Sequence, residues 1–292
     1  MTSSHDGSAG GALSFDEGGL PDRARERVEE AARSPAGFFT TTFTVAEMAV
    51  ARLAGYEPIG QVMGSSVYHV GWTGLFAGDA GELATVTHAR RDAFARAIGR
   101  MAEEARLLRA HAVVGVRLQV RGYEWSGELS EFTAVGTAVR VRAPLPERPV
   151  ISNLSVQELY KLELAGLWPI DVVMGNSVWR NRHADCAADG RWLNTELPAH
   201  TACIDQARAA AQRRFREEAL RTNAHGVVAV TVERRFADHE WEVNDTHHTE
   251  FKAEIVLLGT AVARLREPRL PRPRLVLDLA GGKKLDLGAR GR

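Results

Sequence analysis

The chain states nearly the same sequence twice, and this limits its fold more than any single motif does. Residues 53–68 (Leu-Ala-Gly-Tyr-Glu-Pro-Ile-Gly-Gln-Val-Met-Gly-Ser-Ser-Val-Tyr) return as residues 164–179 (Leu-Ala-Gly-Leu-Trp-Pro-Ile-Asp-Val-Val-Met-Gly-Asn-Ser-Val-Trp). Further on, Ala-His-Ala-Val-Val-Gly-Val at 110–116 returns as Ala-His-Gly-Val-Val-Ala-Val at 224–230, and Gly-Thr-Ala-Val at 136–139 returns at 259–262. The order is kept while the offset grows from 111 to 114 to 123, so insertions fall between the matched blocks, where loops belong. Two domains of one fold are expected.

Length agrees with this. A chain of 292 residues is long enough for about two domains, each with the roughly 100 residues that can bury a core of its own. Hydrophobic residues make up 45% and charged residues 25%, the balance of an ordinary globular protein. No apolar run approaches the ~20 residues of a membrane span, and residues 1–19 lack the basic start and apolar centre of a secretory signal. The expected location is therefore the cytoplasm. The two cysteines, Cys186 and Cys203, both fall in the second repeat, which argues against a disulfide framework. Net charge is zero, so the chain as a whole lacks the basic footprint of a nucleic-acid binder. The exception is 264–292, with nine bases against three acids: a solvated tail, or a contact for an acidic partner.

Residues 1–40, rich in Ser, Gly and Asp, read as disordered; within them 22–33 can form a short charged helix, with no apolar face by which to dock. The two repeats span 41–143 and 151–266, joined by a stiff proline-rich linker at 144–150 and followed by a basic, proline-containing tail at 267–292. Each repeat opens on a capping box, Thr44 with Glu47 and Ser155 with Glu158. A short helix comes after it, ending at Gly55 or Gly166, residues suited to a left-handed terminus. A strand then starts at Pro58 or Pro169. A long helix is next, about 90–109 and 204–222, with apolar residues three and four apart and rows of alanine that suggest close approach to a sheet. Strands at about 114–121 and 228–233 alternate apolar and polar residues. A last strand spans 132–142 or 254–264. The fold class is thus α+β, two tandem β-α-β-β domains, each an antiparallel sheet with a long helix on one face and a short N-terminal helix. A three-stranded sheet has exposed edges that invite completion, by the other repeat or by another copy of the chain. In the tail, 275–279 is a small apolar island, either a docking strand or a loosely packed fragment.

Through the paired Val-Met-Gly-(Ser/Asn)-Ser-Val, Ala-His-(Ala/Gly)-Val-Val-(Gly/Ala)-Val and Gly-Thr-Ala-Val stretches, the chain resembles the YbjQ-like family, UPF0145, whose label is heavy-metal binding. The resemblance covers both repeats and neither tail. It implies a dodecin-like subunit that assembles into a ring, and a family of no defined biochemical role. His111 and His225 depart from the usual residue at their position, and the tandem duplication is a second departure.

The best metal-ligand set is His183 and Cys186 with His200 and Cys203, two His-x2-Cys pairs. Imidazole and thiolate are what zinc or another transition metal prefers; the rival reading is a polar loop with two ordinary thiols. His111 and His225 stand where the long helix ends, a place that favours histidine for structural reasons, though an assembly would bring their copies together. Gly64 and Gly175 read as a bulge or tight bend in the first strand. Trp125 and Trp241, each after a glutamate, read as interface or core anchors. His239, Asp245, His247 and His248 form a polar group in the loop of the second repeat. There is no phosphate-binding Gly-rich loop, nucleophile elbow or His-Glu-x-x-His, and nothing nominates a nucleophile with its base.

The sequence therefore favours a non-catalytic, self-associating protein, binding a metal or small ligand at an interface if it binds one. A zinc-binding or sensing protein using the His/Cys set and an adaptor recruiting a protein partner through its tails are the alternatives.

Overall fold

The computed structural model describes residues 19–33, 39–69, 80–123, 126–142, 145–182, 196–243, 246–265, 276–277 and 284–285. A helix α1 (Asp22–Arg33) precedes the repeats. The first repeat comprises α2 (Val45–Ala54), β1 (Glu57–His69), β2 (Ala80–Glu82), α3 (Ala84–Leu107), β3 (Ala112–Tyr123) and β4 (Ser126–Arg140). The second comprises β5 (Val150–Ile151), α4 (Val156–Leu164), β6 (Leu167–Asn181), α5 (Pro198–Arg221), β7 (Gly226–Val243) and β8 (Thr246–Arg264). In the tail, β9 (Val276–Leu277) pairs with β10 (Lys284–Leu285), so the apolar island meets its own neighbour.

Both capping boxes form, with Thr44 and Ser155 accepting from the amides of Glu47 and Glu158. Gly55 and Gly166 take φ of 75° and 76°, as the left-handed end of a helix requires. Each sheet has four strands, where three were expected, because the repeats exchange strands. The sheet orders are β1-β4-β3-β5 and β2-β6-β8-β7. Thus β5, from the second repeat, lies parallel to β3 of the first, and β2, from the first, lies antiparallel to β6 of the second.

The layers run first sheet, α3, second sheet, α5. One apolar cluster joins Val62, Phe132 and Ala134 of the first sheet to Phe94, Ala97 and Met101 of α3 and on to Val172, Met174, Val256 and Leu258 of the second sheet. The alternate residues of β8, Ala253, Ile255 and Leu257, pack with Cys203, Ala207 and Ala211 of α5. The period of two along β8 therefore serves two helices, one from each repeat.

Gly64 and Gly175 are not bulges; the register shifts fall between Pro58 and Gly60 and between Pro169 and Asp171. The glycines lie where the long helix crosses its sheet. A Cβ at Gly64 would stand against the carbonyl of Ala97 and 2.6 Å from the amide nitrogen of Met101. At Gly175 it would stand against the carbonyl of Ala211 and 2.5 Å from the amide nitrogen of Phe215. The alanine rows do mark that approach. The long helices start earlier than their sequence suggests, since neither N-cap, Leu83 nor Leu197, makes a side-chain cap bond.

Candidate functional site

The junction between the repeats is the most elaborate polar and apolar surface among the described residues. Its polar centre is Glu82, which receives Arg214 in bidentate form, Nη1 to Oε1 at 2.6 Å and Nη2 to Oε2 at 2.8 Å. Ser177 and Thr87 donate to the same carboxylate at 2.9 and 3.2 Å. Burial works against this charge, but the bonds from Arg214, Ser177 and Thr87 outweigh it and hold the carboxyl below the usual range. Beside it, Thr87 ties the start of α3 to the edge of β6. Its hydroxyl accepts from the Val178 amide at 3.1 Å, its carbonyl accepts from Asn176 at 2.9 Å, and the Leu83 amide donates to Val178 at 2.8 Å. These bonds fix the start of α3 against β6, although no side chain caps the helix. Arg91 pairs with Glu218 at 2.8 Å, and Arg90 pairs with the buried Glu254. Burial, with the charge of Arg235, lowers the Arg90 guanidinium to about 10.

The other half of the junction is the entry into the second repeat. The Val150 amide donates to the His111 carbonyl at 3.0 Å, Ser152 to Val113 at 2.9 Å and Gly115 to Leu154 at 2.7 Å. The hydroxyl of Thr260 then anchors this segment, sharing a bond with Ser152 at 3.0 Å and accepting from the Asn153 amide at 3.1 Å. In the first repeat Thr137 does the same for Thr41 and Thr42, at 3.1 and 2.8 Å between hydroxyls. Thr137 and Thr260 are the threonines of the repeated Gly-Thr-Ala-Val. They were visible in the sequence as a match, though not as an anchor.

Because the repeats match, each surface used at this junction has a counterpart facing outward. Val116 is 4% exposed and its counterpart Val230 45%; Val156 is 0% and Val45 89%; Met174 is 5% and Met63 41%; Val178 is 5% and Val67 57%. Each repeat thus leaves open the face that the other repeat covers. Val230 and Val232 mark one open face, on β7; Val45, Met63 and Val67 mark the other, on the first repeat. Two cavities lie on the latter side. One, of about 880 Å³, is lined by Met48, Arg52, Ile59 and Arg140 together with Ala31 and Ala32 of α1. The other, of about 350 Å³, lies between α1 and Met63, Ser65, Arg100 and Glu104. Helix α1 does dock, contrary to its charged sequence: Val28 is buried, and Arg27 pairs with Glu104 at 2.5 Å. Leu20, just before the helix, is buried as well, so two apolar side chains and one ion pair hold a helix whose surface is otherwise charged.

The remaining residues singled out from sequence have separate fates. His111 is buried, and its Nδ1 accepts from the Val141 amide at 3.4 Å; His225 is exposed. His183, Cys186 and Trp125 lie outside the described residues, as does the side chain of Trp241. Residues 239, 247 and 248 belong to strands β7 and β8, not to a loop; their side chains and Asp245 lie outside the described residues. His200 and Cys203 are three residues apart on α5, with the His200 ring 4.3 Å from that of Phe251. Cys203 is buried, and that burial pushes its thiol up from the ordinary range. Among the described residues no three His, Cys, Asp or Glu side chains gather as a metal site, and no helix is long and apolar enough to cross a membrane.

The chain is similar in sequence to known proteins. A family profile described as "Putative heavy-metal-binding" (YbjQ_1) matches residues 38–142. The encapsulin nanocompartment protein Rv1762c of Mycobacterium tuberculosis is 37% identical over 264 residues, 88% of this chain and 96% of that protein. A UPF0145 protein of Archaeoglobus fulgidus is 40% identical over 108 residues, 35% of this chain and 94% of its own length. No solved structure matches the chain significantly.

Proposed function

The chain belongs to the YbjQ-like family, UPF0145, in tandem form, and on that premise we propose that it is a non-catalytic protein whose copies add head to tail. The junction made once within each chain is the pattern for the contact between chains. The observation that carries this is the set of matched pairs, buried on the inner faces and exposed on the outer ones, Val116 with Val230 and Val156 with Val45 foremost. Such a contact is heterologous, joining two different faces, and it closes into a ring when the rotation per copy permits. The name of the Mycobacterium tuberculosis relative, an encapsulin nanocompartment protein, supports a role within an assembled compartment.

The matched positions specify the contact. Phe39 stands to the first repeat as Val150 does to the second, and Gly226 stands to the second as Ala112 does to the first. Phe39 of one copy then lies beside Gly226 of the next, and Glu196 of that neighbour meets Arg100 as Glu82 meets Arg214. Neighbouring strands lie ~4.8 Å apart, within the Cα span a disulfide bridges. The chain carrying both Phe39→Cys and Gly226→Cys is expected to form covalent multimers on mild oxidation, and each single variant is not. Monomers only from the double variant would contradict the proposed register.

A metal is the second reading, favoured by the family description. His183, Cys186, His200 and Cys203 would hold it, with imidazole and thiolate donors suited to zinc. Its test is zinc content after purification without chelator. Stoichiometric zinc lost in both Cys186→Ser and Cys203→Ser supports it, and background zinc in the unaltered chain ends it.

A further inference from the structure

The segment before the first repeat holds the same side chains that a neighbouring repeat would hold. At the inner junction, two residues of α5 are gripped by the first repeat: Arg214 by Glu82 and Glu218 by Arg91. Their counterparts on α3, at the constant offset of 114, are Arg100 and Glu104. These are held instead by residues 19–33. Arg100 Nε donates to the Gly19 carbonyl at 3.3 Å, and Arg27 pairs with Glu104 at 2.5 Å. Arg100 also donates to Ser65 as Arg214 does to Asn176, at 2.5 and 3.3 Å, so the two arginines sit alike in their repeats. Further along, Ala31 and Ala32 border the cavity that contains Met48, counterpart of the buried Leu159. From one cavity to the other, α1 lies along the side of the first repeat where the next copy is to dock.

We infer that α1 is a built-in cap, a surrogate for the neighbouring repeat, which an incoming copy of this chain must displace from Arg100 and Glu104. This cap presupposes the head-to-tail addition proposed above. The exchange is uneven in charge: Asp205 of the incoming α5 occupies the place of Arg91, so Glu104 trades Arg27 for a residue that cannot pair with it. The inner junction has no such mismatch, and α1 holds on with a buried Val28 in addition. The cap and an incoming copy therefore compete for Arg100 and Glu104, which moves assembly to higher concentration.

The test uses the full chain. Val28→Asp weakens the cap without touching the proposed docking residues, and removing one buried valine contact should lower the concentration of half-assembly by about tenfold or more. Hydrogen exchange supplies a measurement on the unaltered chain: amides of 22–33 should be protected in the monomer and lose protection in the assembly. Equal half-assembly concentrations for the two chains, or protection of 22–33 kept in the assembly, would overturn the cap while leaving head-to-tail addition standing. If neither chain assembles at any concentration, the head-to-tail reading falls, and the cap with it.

Discussion

The amide of Val150 donates to the carbonyl of His111 at 3.0 Å, so the first residue of the second repeat's entry strand is bonded into the sheet of the first. On that side of the junction His111 is buried, while its counterpart His225 is exposed. The two histidines occupy the same place in their repeats, and the entry strand of the second repeat is bonded beside His111.

Removing the hydroxyl that anchors this segment should loosen it. Thr260→Val keeps the shape of a fully buried side chain and leaves the Asn153 amide, the Asn153 side-chain oxygen and Ser152 without their shared partner. A loss of about 1 to 3 kcal/mol is expected for stranding buried polar groups, read as a lower denaturant midpoint. An unchanged midpoint would show that the anchor is not needed.

The crossing glycines should tolerate no side chain. Gly175→Ala puts a methyl against the backbone of α5, where nothing flexible can yield. A cost of about 1 to 3 kcal/mol is expected from overpacking of this kind, and Gly64→Ala should behave alike. Thermal unfolding measures both.

Position 229 carries a strain that position 115 avoids. Gly115 and Ala229 stand at matching bulges with φ of 66° and 51°, a region where a Cβ costs roughly 1 to 2 kcal/mol. Ala229→Gly removes that cost and gives back about 0.5 to 1 kcal/mol in chain entropy. A small net gain in stability is expected from it, and a loss from Gly115→Ala.

Acid should weaken the junction through Glu82. Its carboxyl lies below the ordinary value because Arg214, Ser177 and Thr87 outweigh the effect of burial. The folded chain thus favours the ion more than the unfolded chain does. This stability is in place above the usual glutamate range and is lost as pH falls through the depressed value. Below about pH 4, the unaltered chain should lose stability more steeply than Glu82→Gln does. Parallel pH profiles would remove Glu82 from the account.

The sequence made the repeated elements legible, because capping boxes, glycine stops and periods of two are local signals. Thr44, Gly55 and the alternation from Val114 onward needed no tertiary information. The starts of the long helices were not legible, because neither Leu83 nor Leu197 is a capping residue, and Thr87 and Leu83 bond to β6 across the junction. The exchange of β2 and β5 was likewise hidden, since two- and three-residue strands have no periodicity to read. Glu82, Thr87 and Arg214 each have a same-type counterpart at the offset of 114, Glu196, Thr201 and Arg100. That repetition was the available sign of the junction. The docking of α1 gave no such sign, because Val28 is the one buried residue of a helix made mostly of charged side chains and alanine.

Head-to-tail addition is tested most directly by the native mass of the full chain over a range of concentrations, beside Val230→Asp, which places a charge on the open face of β7. The account predicts that the unaltered chain reaches a discrete multiple of its 31.9 kDa and that the variant remains at one copy with its fold intact. A single copy for both at every concentration, or the same multiple for both, would contradict it.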